Sequence, residues 1–318
     1  MLENFSISVV IPVYNCEQFI EKAVNSALKE EEVVEVLIVN DGSTDSTNEI
    51  LERLKLDNNR VKVFYHKNKS NQGRSASRNL GLQNAKGNYI AFLDADDYFL
   101  PNRFKADKTL FDKQKDADGV YNAVGFHFYR EATAYELKTH TIYTVTREVL
   151  PEQLFKLLLY GKCGHFHING LTVKRSIFDK TGLFNEALVV AEDTELFWKM
   201  AITSKLYTGI ITKPLAIRGV HDANVFDQNA IYKIYTLKMY EALVLWCSKN
   251  KVDFWVLDDL YKWIWILKEK EDNSLWKDIV YWMHLFIPLP KVFFSKLSIK
   301  YFPVIRFRQK LFPFLYRS

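Results

Sequence analysis

The N-terminal part of the chain alternates short β-branched apolar runs with stretches of helical spacing. That alternation restricts it to a largely parallel sheet with helices packed on both faces. I-S-V-V-I-P-V at 7–13 and E-V-L-I-V-N at 35–40 read as strands, with an amphipathic helix over 17–29 between them. Further strands are expected at 61–65 and 89–93, each preceded by a helix, at 44–54 and 75–85. In such sheets ligands sit outside the carboxyl ends of the strands. Polar clusters fall at those ends: Tyr14 and Asn15 after the first strand, Asp41 to Asp45 after the second, Asp94 to Asp97 after the fourth.

Beyond that frame, 118–142 reads as further strands, 151–159 and 190–201 as helices, and 210–220 as a late strand interrupted by Pro214. After residue 227 the texture changes to long aromatic-rich helical runs at 229–249 and 253–270. The expected organisation is an α/β domain over 1–226 and a helical extension over 227–318. With 318 residues and 48% apolar composition the chain can bury a full core. Cys16, Cys163 and Cys247 lie far apart without a CxxC pair, which argues against a zinc knuckle or a disulfide scaffold and for a reducing, cytoplasmic setting. No secretory leader is read at the start, because 7–13 is too short and ends at a strand-like proline motif.

The net charge of +5 is unevenly placed, since 275–318 holds eight Lys or Arg against the single acid Asp278, leaving 35 basic against 37 acidic residues elsewhere. A segregated basic tail calls for an anionic partner of the tail rather than a nucleic-acid-binding catalytic domain. The tail interleaves these cations with aromatics from Trp276 to Tyr316, and its longest uncharged stretch, 279–290, has 12 residues, too few for the ~20 of a membrane span. An interfacial anchor on the inner face of a membrane is the expectation, with packing against a second subunit as the alternative.

Three clusters carry chemistry. Asp94, Asp96 and Asp97 crowd one turn, a costly arrangement unless a cation lies among them, and Mg²⁺ or Mn²⁺ characteristically binds a few carboxylates together with phosphate oxygens. Asp41 stands where a carboxylate can accept from a nucleobase N–H, with the ring of Tyr14 beside it. Residues 71–79, N-Q-G-R-S-A-S-R-N, combine a glycine, Arg74, Arg78 and a helix start, which suits an anionic ligand. Glu192 and Asp193 open a helix, where acids are favoured by the dipole in any case. His221 follows in a polar loop, and His165 and His167 lie in an aromatic segment between the Asp94–Asp97 cluster and Asp193.

Taken in order, V-V-I-P-V-Y-N at 9–15, N-D-G-S-T-D at 40–45, N-x-G-x-S-x-S-R-N-x-G at 71–81, G-N-Y-I-A-F-L-D-A-D-D at 87–97, the A-E-D-T-E-L-F-W segment ending at 198 and R-x-x-H-x-x-N at 218–224 resemble family 2 glycosyltransferases over about 6–225. The resemblance implies a GT-A fold, a Rossmann-like and mostly parallel sheet, and inverting transfer from a nucleotide diphosphate sugar. It makes Pro12, Val13, Tyr14 and Asn15 the floor of the nucleoside pocket and Asp41 the uracil-contacting acid. Asp94 and Ala95 would face the ribose or the metal shell. Asp96 would be the main ligand of a Mn²⁺ or Mg²⁺ ion, with His221 approaching the metal and diphosphate. Arg78 would hold the diphosphate or donor sugar, and Asp193 would be the base.

Glu192, His165 and His167 are candidates for the acceptor side, where a glycan or lipid-linked glycan would bind. Inversion of an α-linked UDP-sugar would give a β-glycoside of the kind found in bacterial surface polysaccharides. Two departures stand out: Y-F-L-P follows the acids at 98–101, and the Q-x-x-R-W motif of processive synthases is missing. The latter favours single transfers. A nucleotidyltransferase or a dinucleotide dehydrogenase would need a glycine-rich phosphate loop, and 9–30 contains no glycine. A non-catalytic nucleotide-sugar-binding module is the other alternative, against which the intact acids weigh.

Overall fold

The structure is a computed structural model, described here for residues 4–222, 229–250, 252–269 and 274–302. The chain divides into two compact units, Met1–Asp227 and Gln228–Ser318.

In the first unit, strand β1 (Ile7–Val13), helix α1 (Ile20–Leu28), β2 (Val33–Asn40), α2 (Thr47–Asp57), β3 (Val61–Tyr65), α3 (Arg74–Asn84) and β4 (Tyr89–Phe92) follow the expected alternation. A two-residue β5 (Tyr98–Phe99), α4 (Lys105–Lys113), β6 (Gly119–Tyr121), β7 (Val124–Phe128), α5 (Ala134–Thr139) and α6 (Pro151–Leu159) come next. The unit closes with β8 (Leu171–Lys174), α7 (Ile177–Thr181), α8 (Glu192–Thr203), β9 (Leu206–Thr208) and β10 (Ala216–Val220). Seven strands form one sheet in the order β3-β2-β1-β4-β8-β6-β9, and β5-β10-β7 form a small second sheet.

β1 lies inside the sheet between β2 and β4, and six of its seven residues and seven of the eight in β2 are buried. Pro12 is tolerated in this strand because β4 pairs only with 7–10, so the missing N–H falls beyond the β4 ladder. The helix α1 buries Ile20, Ala23, Val24 and Ala27, the i, i+3, i+4, i+7 stripe that meets the sheet. The β3-β2-β1-β4 half is parallel, whereas β8 runs antiparallel to both β4 and β6. That reversal lies where the sheet leaves its parallel half, and the fold is α/β with a mixed rather than uniformly parallel sheet.

The late strand is shorter than the sequence pattern suggests. Only 216–220 pairs, because Pro214 cannot donate to a ladder and the chain enters β10 after it.

The second unit contains α9 (Asn229–Lys249), α10 (Phe254–Glu269), α11 (Leu275–Phe286), α12 (Pro290–Phe293) and α13 (Lys296–Tyr301). Its core is aromatic: Tyr261 stacks on Phe286 at 5.1 Å between ring centroids and on Tyr301 at 5.9 Å, and Trp282 stacks on Phe286 at 5.6 Å. Tyr261, Trp282 and Phe286 are fully buried. Among the described residues no helix is long and apolar enough to cross a membrane. The tail aromatics Phe307, Phe312, Phe314 and Tyr316, and Asn224 of the last motif, lie outside the described residues.

Candidate active site

The carboxyl ends of β1, β2 and β4 deliver three loops to one edge of the sheet, and side-chain bonds tie them together. Asn15, held at φ 48°, accepts from Thr44 N–H at 2.7 Å and donates its own N–H to Ser43 Oγ at 3.0 Å. Asp45 accepts from Glu17 N–H and from Thr47 N–H, so it serves both as a link between loops and at the start of α2. The neighbouring thiol of Cys16 reports the local field. Burial pushes it well above the ordinary range, and the carboxylates of Asp96, Asp45, Asp97 and Asp94 push in the same sense. The 14–16, 41–45 and 94–97 segments therefore share one acidic neighbourhood.

Asp41 is buried and accepts from the consecutive backbone N–H groups of Gln72 at 2.7 Å and Gly73 at 2.9 Å, one on each oxygen. Gly73 adopts φ 88°, a left-handed value that lets this loop turn its amides onto Asp41 before α3 begins. His66 Nε2 lies 3.5 Å from the same carboxylate. Each oxygen keeps a second lone-pair direction. Tyr14 beside it is 51% exposed, a free ring face at the mouth of the sheet, whereas Val13 and Ala95 are buried core side chains that can line a pocket only through their main chain.

Arg78 is the hub of the site. Only 2% exposed, it donates from Nη2 to Asp94 Oδ1 at 2.7 Å and from Nη1 to Glu192 Oε1 at 2.9 Å, with its plane against the Phe184 ring. The acidic turn after β4 and the start of α8, 114 residues from Arg78 in sequence, are thus joined through one guanidinium. Burial alone would raise the Asp94 carboxyl, but Arg78 prevails and holds it below the usual range.

Glu192, expected on the acceptor side, is instead 3% exposed and takes both Arg78 and Arg74 Nε, the latter at 2.9 Å. It is an internal counter-ion, because an acid this buried needs cationic partners. Asp193 next to it is partly exposed. Its Oδ1 accepts from Thr194 N–H at 2.6 Å, and among the described residues none bonds Oδ2.

On the other side of the acidic turn, Asp96 Oδ2 lies 2.9 Å from His221 Nε2, and the His221 ring stacks on Phe19 at 5.0 Å. Gly219 makes this approach possible. A Cβ there would sit 2.4 Å from the Asp96 carbonyl oxygen, and its N–H donates to Asp97 Oδ1 at 2.7 Å. Asp97 also accepts from Asn169 Nδ2, while Asn169 Oδ1 accepts from Asp94 N–H. Burial, reinforced by Asp96 and Asp94, raises the Asp97 carboxyl well above the ordinary range.

Asp97, which sequence reading groups with the acids around a cation, and Asn169, to which it gives no role, are braces of the turn. Their signal in the sequence is weak, since one stands as an extra acid and the other as a lone asparagine.

His167, a candidate acceptor contact, is buried, and its Nδ1 accepts from Asn169 N–H. Desolvation lowers its pKa to about 4, with Arg218 acting in the same direction, so the ring is neutral and packs under the site. His165 is exposed. Desolvation lowers its pKa too, and the Asp193 carboxylate opposes that.

Among the described residues no group of three or more His, Cys, Asp or Glu side chains is arranged to hold a metal ion. Asp96 with His221 offers a carboxylate and an imidazole, a donor pair that fits Mn²⁺ or Mg²⁺ when substrate phosphates complete the shell. A cleft of about 920 Å³ lies elsewhere, between α1, β5 and α4, lined by residues such as Lys22, Lys29, Tyr98 and Lys105 and by none of the candidate site residues.

The model of "Glycosyl transferase family 2" matches residues 8–182. An uncharacterised glycosyltransferase of Rickettsia typhi is 31% identical over 249 residues, 74% of this chain and 70% of that protein. The minor teichoic acid biosynthesis protein GgaA of Bacillus subtilis is 30% identical over 64% of this chain and 45% of its own length. The chain spans 31 to 70% of the length of the Rickettsia relatives it matches. Among solved structures, residues 1–349 of S. aureus TarS in complex with UDP-GlcNAc superpose with a TM-score of 0.64 at 18% identity, covering 89% of this chain and 79% of that one. The fold is accordingly GT-A-like, with a helical C-terminal extension.

Proposed function

The chain belongs to glycosyltransferase family 2, and on that premise we propose that it is an inverting transferase. It moves a sugar from a UDP-linked donor to a hydroxyl of a glycan or lipid-linked glycan, dependent on Mn²⁺ or Mg²⁺, and forms a β-glycosidic bond. The observation that carries this reading is the Arg78 bridge: it ties the acids of the donor side, through Asp94, to the turn that presents Asp193. The GgaA likeness supports surface-polysaccharide assembly as the setting, and the TarS complex with UDP-GlcNAc supports a uridine donor.

In the reaction the nucleoside rests against Tyr14 and the 12–15 backbone, with a base N–H accepted by Asp41. Asp193 Oδ2 takes the proton of the acceptor hydroxyl as that oxygen bonds to the anomeric carbon. The bond from that carbon to the diphosphate oxygen breaks on the opposite face, so configuration inverts without a covalent enzyme intermediate. Asp96 and His221 would hold the divalent cation, which when bound neutralises charge on the leaving diphosphate. Arg78 holds the Asp94 carboxyl below its usual range and bonds Glu192 in place, and Asn169 and Asp97 fix the acidic turn. The catalytic domain is assigned to 1–226 and the extension to 227–318, working at the inner face of the cell membrane.

A screen of nucleotide sugars for Mn²⁺-dependent thermal stabilisation tests the donor assignment, with UDP-sugars expected to stabilise and Asp96→Ala to abolish the metal-dependent part. Asp193→Asn is expected to retain donor binding and lose roughly 10²- to 10⁴-fold in transfer rate. Near-normal turnover in that variant would remove Asp193 as the base.

A further inference from the structure

The helix α11 carries two apolar stripes where a helix of a soluble unit needs one. Trp282, Leu285 and Phe286 are buried among the aromatic rings of Tyr261 and Tyr301. Trp276, Val280 and Ile287 are 71%, 54% and 61% exposed. At about 100° per residue these three project within an arc of roughly 40°, on the side away from the buried stripe. Ile287 keeps helical backbone angles, so it continues the α11 register. Phe294, just after α12, is 85% exposed as well.

Charge accompanies this stripe with one sign. Within 274–302 the exposed ionisable chains include Lys277, Lys291 and Lys296, Lys300 is paired with Asp258 of α10 at 2.7 Å, and the sole acid, Asp278, is buried on the inner face. A protein partner would be met by acids as well as bases, whereas an apolar stripe on a segment whose own exposed charged side chains are lysines matches an anionic lipid surface.

We propose that the outer face of α11, Trp276, Val280 and Ile287 together with Phe294 and the flanking lysines, is a docking surface for an anionic bilayer. The helix lies in the interface plane, its rings and aliphatic chains among the acyl boundary and its lysines at the phosphates. Cationic attraction brings the chain to the surface, and apolar insertion holds it there. This docking does not depend on the chemistry of sugar transfer, and it supplies a reason for the segregated charge of the tail.

The test uses the full chain with vesicles of phosphatidylcholine alone and of phosphatidylcholine doped with phosphatidylglycerol. Binding is expected only to the doped vesicles, weakened by high salt because the attraction is screened. It should be accompanied by a blue shift of tryptophan fluorescence as Trp276 leaves water. The triple variant Trp276→Ser, Val280→Ser, Ile287→Ser is expected to lose at least about tenfold in partitioning. A second variant, Lys277→Glu, Lys291→Glu, Lys296→Glu, keeps the apolar stripe and is expected to lose the preference for phosphatidylglycerol.

All six positions are on the surface, so unchanged melting curves are expected for both variants. Wild-type protein that ignores phosphatidylglycerol, or a triple variant that partitions as wild type does, overturns the proposal. So does sedimentation showing that wild type self-associates through this face and the triple variant does not. Donor hydrolysis by the triple variant stays at the wild-type rate if the docking reading is right, so failure of docking and failure of the transferase reading are seen separately.

Discussion

At the scale of single residues, Arg78 has the largest consequences. Its guanidinium is the shared partner of two acids, and its removal would strip Asp94 of that cation and leave buried Glu192 with Arg74 alone. Arg78→Ala is therefore expected to destabilise the protein by about 3–5 kcal/mol, measured by urea denaturation. Arg78→Lys should recover only part of this, because one ammonium cannot reach both carboxylates in the fork geometry.

His167 makes a second residue-level prediction through pH. Its folded pKa of about 4 lies below the ordinary 6.5, so between those values the unfolded chain binds a proton that the folded chain refuses. Stability should fall as pH drops through that window, by at most roughly 1.4 kcal/mol per unit, and His167→Asn should flatten the slope. Sequence reading singles out Asp96, His221, Arg78 and Asp193, because acids, imidazoles and guanidiniums in ordered motifs carry chemistry on their face. It did not find that Glu192 and His167 are interior, because burial of a side chain next to a functional one depends on which neighbouring segment folds over it.

At the scale of elements, the parallel half was legible because its strands are long enough for their apolar runs to stand out between helical periods. β5 and β9, of two and three residues, are too short to show any period, and the antiparallel direction of β8 is a matter of chain path rather than of residue pattern. The seat of α3 on β1 gives a prediction at this scale. A Cβ at Gly81 would come within 2.4 Å of Val10 Cγ1 in the centre of the sheet. Gly81→Ala is expected to cost about 1–3 kcal/mol by overpacking, and the double change with Val10→Ala should regain most of it. Thermal melts of the two variants beside the wild type check both statements.

At the scale of the molecule, charge is distributed by region: 275–318 holds eight Lys or Arg against one acid, while the rest of the chain is close to balance. The count of charges along the chain made that segregation readable, while the two-faced character of α11 needed knowledge of which stripe is covered. With a lipid-linked acceptor, addition of anionic vesicles is expected to raise the transfer rate of the full chain, and with a water-soluble acceptor to leave it unchanged. Equal responses to the two acceptors would separate surface docking from substrate delivery.

The Arg78 bridge also bears on the order in which the polypeptide is made. The segment matched by the family model ends at residue 182, ahead of Glu192, Asp193 and His221. A nascent chain that has just emerged to that point holds Arg78 and Asp94 but lacks the second carboxylate and Asp193. Strands β9 and β10 are still inside the ribosome as well. The Arg78–Asp94 half of the bridge can thus form during translation while the Glu192 half waits for α8, which makes closure of the bridge a late event of biosynthesis.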